Sequence, residues 1–152
     1  MAMADGDYIV IGHSLGGILL RSAVATLLPG VRRPRRIIML ATPNHSPRLA
    51  RRFGNMLWYR AINGDVGQWL TDELRFAEIP ALDVPCTVIA GTRGLTGRWS
   101  PFGEEANDGL VAVSETVLNA ADELITLPVT HAFIMNDARV REIVMERCSE
   151  RR

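Results

Sequence analysis

Ile9-Val10-Ile11-Gly12-His13-Ser14-Leu15-Gly16-Gly17-Ile18-Leu19-Leu20 is the stretch that decides how this chain is read. Residues 8–12 form a short apolar run, as a buried strand does. The run enters Gly-x-Ser-x-Gly, and an apolar segment at helical spacing follows over 15–28, with Ile18, Leu19, Val24, Leu27 and Leu28 as its stripe. Strand, sharp turn and helix in that order put a serine at the apex of the turn. Small neighbours let the strand fold back against the helix. Ser14 then projects above the carboxyl end of a sheet, and the Leu15 amide opens the helix, aimed at any negative charge that develops beside the serine. The plain alternative is an ordinary strand-to-helix turn with a capping serine.

The rest of the chain supports a covered parallel sheet. Pro29-Gly30 ends the first helix. Ile37 to Ala41 and Cys86 to Ala90, closed by Gly91, are continuous apolar runs of the kind that lie inside a sheet covered on both faces. A fourth strand covers Glu123 to Pro128, a short helix 114–121, and a last helix Asp137 to Arg147. Strands alternating with helices specify an α/β fold, a parallel sheet with helices on both faces, in one domain over 1–152. Residues 46–80 are the least regular. Leu49, Phe53, Met56 and Leu57, then Trp58, Tyr59, Trp69 and Leu70, read either as a lid or acyl-group wall over the site or as plain core packing. The long loop 92–113 is rich in glycine, and long loops in compact domains usually carry function.

The chain of 152 residues is long enough for a real core, and its net charge is zero. That balance argues against partners recruited by long-range charge, so no nucleic acid is expected. No transmembrane stretch or signal peptide is visible, which makes a cytoplasmic location the default. Every basic residue is arginine. Arg32, Arg33, Arg35 and Arg36 precede the second strand, at the face opposite Ser14, and read as a solvated connector rather than a phosphate site. Cys86 and Cys148 lack metal-ligand spacing, and Cys86 reads as a buried free thiol. No metal and no cofactor is expected: nothing marks a metal site, and the glycine-rich turn lacks the lysine of a phosphate-binding loop.

A serine nucleophile needs a base, and the base an orienting carboxylate. Catalytic groups in open parallel sheets collect at the carboxyl ends of the strands. Ser14 follows the first strand, Asp108 lies in the loop after the third, and His131 follows the fourth. His13, beside the serine, is read as packing, and His45 as part of the pocket rim. Glu104 and Glu105 compete with Asp108, but Asn107-Asp108-Gly109 is a turn that presents one carboxylate.

These segments resemble the lipase/esterase branch of the α/β-hydrolase superfamily. The resemblance rests on Gly-His-Ser-Leu-Gly-Gly at 12–17, Leu-Ala-Thr-Pro-Asn-His-Ser at 40–46, Asn-Asp-Gly-Leu-Val at 107–111 and Leu-Pro-Val-Thr-His at 127–131. It implies Ser14 as nucleophile, Asp108 as acid, His131 as base and the Leu15 amide as an oxyanion donor. The implied reaction is hydrolysis of a small-molecule carboxylic ester through an acyl-enzyme. Independently of the resemblance, Trp58 and Tyr59 in the bulky segment and His45 at the end of the second strand are expected to meet the substrate. Asn44 departs from the pattern, where the family often has histidine. The resemblance covers the family's fold from the elbow strand onward, a truncated α/β-hydrolase fold. The loop that usually gives a second oxyanion donor precedes that point. It follows that the Tyr8–Ile11 strand edge is expected to be covered by a second copy in a homodimer or by another partner. The competing reading is a non-catalytic remnant or interaction module of the same descent.

Overall fold

The computed structural model describes residues 8–53, 76, 78–79, 82–119 and 122–150. Four strands, β1 (Ile9–His13), β2 (Arg36–Leu40), β3 (Cys86–Gly91) and β4 (Glu123–Leu127), form one sheet in the order β1-β2-β3-β4. All three pairings are parallel, with Ile11 opposite Ile38, Ile38 opposite Thr87 and Ile89 opposite Ile125. The helices are α1 (Leu15–Ala25), α2 (Arg48–Phe53), α3 (Val113–Thr116) and α4 (Ala138–Ser149), with a 3₁₀ helix over His131–Asn136. The expected α/β parallel sheet is therefore present.

Alternation along β2 builds two cores. Ile37 and Met39 face Val24 of α1 together with Cys86 and Val88. Ile38 and Leu40 face the other way, toward Ile89, Ile134 and Val140 at the start of α4. Both faces of β2 and β3 are thus covered, which is why those strands read as unbroken apolar runs. β4 differs, because Leu124 is 42% exposed and Thr126 points out as well. It is an outer strand with one face on the core.

Two helices end differently from the periodicity. α1 stops at Ala25, short of 28, where Thr26 turns its hydroxyl and its N–H onto the Ser22 carbonyl at 2.9 and 3.1 Å. The buried side of α1 is Gly17, Ile18, Arg21 and Val24, whereas Leu19 and Leu28 of the expected stripe are exposed. α3 occupies Val113–Thr116, the front of the short helix placed at 114–121. The arginines before β2 hold the base of the sheet to the chain's last helix. Arg33 pairs with Asp83, and Arg35 donates to the carbonyls of Cys148 and Glu150. Arg36 reaches the Thr87 hydroxyl at 2.8 Å and Glu150 at 3.3 Å. They are structural ties at the face opposite Ser14, so the solvated-connector reading undervalued them. Among the described residues no helix is long and apolar enough to cross a membrane. Cys86 is buried and unpaired, and Cys148 is exposed and unpaired.

Candidate active site

The turn between β1 and α1 is as tight as its sequence requires. Ser14 sits at φ 52°, ψ −126°, a strained backbone for a residue with a side chain. Its N–H donates to the Leu40 carbonyl at 2.9 Å, so the apex is pinned to the end of β2. The glycines that make this possible are Gly12 and Gly17. A Cβ on Gly12 would meet the Gly17 Cα at 2.6 Å, and one on Gly17 would meet Thr42 Oγ1 at 1.9 Å. Gly16, the closing glycine of Gly-x-Ser-x-Gly, has open space around it. The steric demand therefore falls on Gly12 and, on the helix side, on Gly17, one residue beyond the motif. Leu15 begins α1, and its N–H belongs to the first turn, whose donors have no partner within the helix. The helix dipole makes that end partly positive.

The loop after β3 delivers a carboxylate. Asn107 is fully buried and acts as its scaffold: Nδ2 donates to the carbonyls of Leu95 at 2.9 Å and Glu105 at 3.0 Å, while Oδ1 accepts from Gly109 N–H at 2.9 Å. Gly109 takes φ 99° to close the turn. Asp108 Oδ1 accepts from the N–H groups of Leu110 and Val111 at 2.9 and 2.8 Å. That leaves Oδ2 to point at His131 Nδ1, which donates to it at 2.8 Å. An ionised carboxylate only accepts, so Nδ1 carries the proton and Nε2 is left as an acceptor. Nε2 lies 3.0 Å from Ser14 Oγ, which donates to it. The His131 N–H donates to the Asp108 carbonyl at 3.0 Å, tying the two loops together at the backbone.

Ser14, His131 and Asp108 thus form one hydrogen-bonded line, with the Asp108 side chain 1% and the His131 side chain 10% exposed. Of the three acidic candidates, Asp108 is the one against His131. Glu105 instead pairs with Arg48 at 2.5 Å, and Glu104 is exposed. His13 does more than pack. Its Nε2–H donates to the His131 carbonyl at 3.1 Å, with the two rings 5.0 Å apart. Burial and the neighbouring His131 push its pKa below the usual histidine value. Sequence reasoning missed this contact because it spans 118 residues.

His45 is exposed and does not join this line; it lies on the rim of a separate cavity with Arg21 and Asn44. Trp58 and Tyr59 lie outside the described residues. No group of three or more metal-ligating side chains occurs among the described residues.

A four-stranded parallel sheet with covered faces and a strained serine between β1 and α1 define an α/β-hydrolase fold, here from the elbow strand onward. No protein-family model and no curated protein matches the chain. Among solved structures, a crystal structure of the Bacillus licheniformis lipase BlEst2 in its mature form matches with a TM-score of 0.70 at 24% identity, over 92% of this chain and 64% of that one. The protein RedJ, with a PEG molecule in its active site, matches at 0.44 with 19% identity, over 93% and 59%. A Vlm2 thioesterase domain matches at 0.44 with 23% identity, over 91% and 62%. The lipase likeness establishes the fold. The chain spans less than two thirds of the length of each of these structures.

Proposed function

We propose that the chain carries the catalytic centre of a serine carboxylic-ester hydrolase, with Ser14 as nucleophile, His131 as base and Asp108 as the orienting acid. The observation that carries this reading is the Asp108–His131–Ser14 line, at 2.8 and 3.0 Å, ending on a strained serine at a helix N-terminus. His131 Nε2 takes the Ser14 proton as Oγ attacks the acyl carbon. The imidazolium so formed is stabilised by Asp108. The Leu15 N–H, at the positive end of α1, faces the developing oxyanion. His131 then returns the proton to the leaving alcohol, and a water activated by the same nitrogen frees the acid and restores Ser14. Two acceptor-locked turns hold the carboxylate, so the geometry is set before any substrate arrives.

The test is a fluorophosphonate active-serine probe together with turnover of short and medium p-nitrophenyl esters. Both are measured on the purified chain and on Ser14→Ala. Labelling at Ser14 and ester turnover, both abolished in the variant, are the expected results. Absence of labelling on the folded chain would refute the catalytic reading and leave the non-catalytic one.

A further inference from the structure

The strand that leads to Ser14 and the strand that leads to His131 are not neighbours. β1 and β4 are the two edges of the described sheet, with β2 and β3 between them. No ladder of backbone bonds therefore keeps the two loops in register. Among the described residues, two hydrogen bonds join the elbow to the His131 segment directly. One is the donation from Ser14 Oγ to His131 Nε2 at 3.0 Å. The other comes from His13, the last residue of β1, whose Nε2 lies 3.1 Å from the His131 carbonyl. A carbonyl only accepts, so the His13 ring carries a proton on Nε2.

The two bonds differ in what an acyl-transfer reaction does to them. Once Oγ carries the acyl group it has no proton to donate, and its bond to Nε2 is lost. The His13 bond involves a main-chain carbonyl and a ring that does not react, so it outlasts that step. On its other side His131 stays fixed to the acid. Its N–H donates to the Asp108 carbonyl at 3.0 Å and its Nδ1–H to Oδ2 at 2.8 Å. Acid and base thus form one unit. In the acyl-enzyme, the His13 bond is the direct hydrogen bond left, among the described residues, to hold that unit against the elbow. The root of His13 is firm. Its backbone pairs with Leu40 of β2, and the next N–H, that of Ser14, donates to the Leu40 carbonyl at 2.9 Å. Its ring packs beside the imidazole, with centroids 5.0 Å apart.

We propose that His13 is a positioning residue for the second half of the reaction, holding His131 Nε2 over the acylated serine through the His131 carbonyl. The role rests on the esterase reading. In that half, Nε2 takes a proton from the attacking water and passes it to Oγ as the acid leaves. His13 touches neither the substrate nor the reacting atoms. Its loss slows deacylation more than acylation, because during acylation the Ser14–His131 bond still supplies the register. Misplacing a catalytic group by about 1 Å can cost roughly 100-fold in rate.

The experiment measures p-nitrophenyl ester kinetics on the full chain and on His13→Gln, His13→Asn and His13→Leu. The amide nitrogen of glutamine lies as many bonds from Cα as Nε2 of histidine and can remake the bond. That of asparagine falls a bond short, and leucine has no donor. In the Leu and Asn variants kcat is expected to fall about tenfold or more, and KM to fall with it. A burst of p-nitrophenol then marks the accumulating acyl-enzyme, while kcat/KM, which reports acylation, falls less. His13→Gln is expected to restore kcat. A merely structural loss removes active enzyme, lowers kcat and kcat/KM in equal proportion and gives no burst, and that pattern overturns the proposal. So does a Leu variant with the kinetics of the parent, or an Asn variant equal to the Gln one. If the Leu and Asn variants do not fold, nitrogen NMR of the unmodified chain decides, at about pH 8, above the usual histidine value. The His13 ring proton is expected on Nε2, and a proton on Nδ1 overturns the proposal. A parent chain whose Ser14 takes no fluorophosphonate fails the esterase reading itself, whereas a labelled parent with an equal-proportion loss fails only the role of His13.

Discussion

Asp108→Asn separates the two tasks of the carboxylate. Oδ1 is held by the N–H groups of Leu110 and Val111 at 2.9 and 2.8 Å, so the amide oxygen of the variant takes that place. The amide nitrogen is then forced to the Oδ2 position, 2.8 Å from His131 Nδ1. Two donors cannot face each other, so the imidazole moves its proton to Nε2. That nitrogen then meets Ser14 Oγ as a donor and cannot accept its proton. Wrong-tautomer substitutions of this kind lower turnover by roughly 10⁴-fold, about 5.4 kcal/mol of transition-state stabilisation. Both N–H groups keep their acceptor, so stability is expected to change by less than about 1 kcal/mol. Asp108→Ala is the control. It frees the ring to choose its tautomer but strips the buried Val111 N–H of its partner, at a cost of roughly 1–3 kcal/mol. The measurements are p-nitrophenyl ester turnover, the rate of fluorophosphonate labelling and denaturant unfolding of both variants. The pattern expected is a stable, unreactive Asn variant and a less stable Ala variant. An Asp108→Asn chain that keeps turnover within tenfold of the parent would refute the role given to this carboxylate.

Four further outcomes follow from other parts of the molecule. Gly17→Ala places a Cβ 1.9 Å from Thr42 Oγ1, on a fully buried, β-branched side chain that cannot swing away. Overpacking of this kind costs about 1–3 kcal/mol in chemical unfolding, and adding Thr42→Ala, which removes the clashing hydroxyl and methyl but keeps the Thr42 Cβ at 2.8 Å, should recover only part of it. Burial pushes the Cys86 thiol up to about 12, so a thiol reagent at neutral pH should modify Cys148 alone, and both cysteines only after denaturation. The Arg147 guanidinium beside Glu123 holds that carboxyl below its usual range, so the pair contributes fully above the unfolded value near 4.5 and fades as pH falls through the lower folded value; Glu123→Gln should flatten the acid limb of stability against pH. β1 is one of the two edge strands of the described sheet, with Ile11 45% and the neighbouring Leu19 of α1 62% exposed, so we propose pairing of two copies at this edge. Light scattering should show a dimer that Ile11→Lys weakens, and a stable monomer at high concentration would dismiss the idea.

Local chemistry made much of this fold legible in one dimension. Apolar runs at 37–41 and 86–90 announced strands buried on both faces, and Gly-x-Ser-x-Gly between a strand and a helix announced the strained turn at Ser14. The chain order of Ser14, Asp108 and His131 singled out residues that lie in one hydrogen-bonded line, because each follows the carboxyl end of a parallel strand. What the sequence could not determine were partners distant along the chain. It treated α1 as a stripe through Leu19, yet Arg21 is buried, with its Nη2–H on the Ile79 carbonyl, and Leu19 is exposed. It explained the glycines by the motif, yet Thr42 makes Gly17 the crowded one and leaves Gly16 open. It read His13 as packing, yet the ring donates to the His131 carbonyl. Periodicity and turn chemistry act between near neighbours and are written in the order of residues. Burial of a cation, a clash across two elements and a bond over 118 residues exist only once the chain has closed on itself.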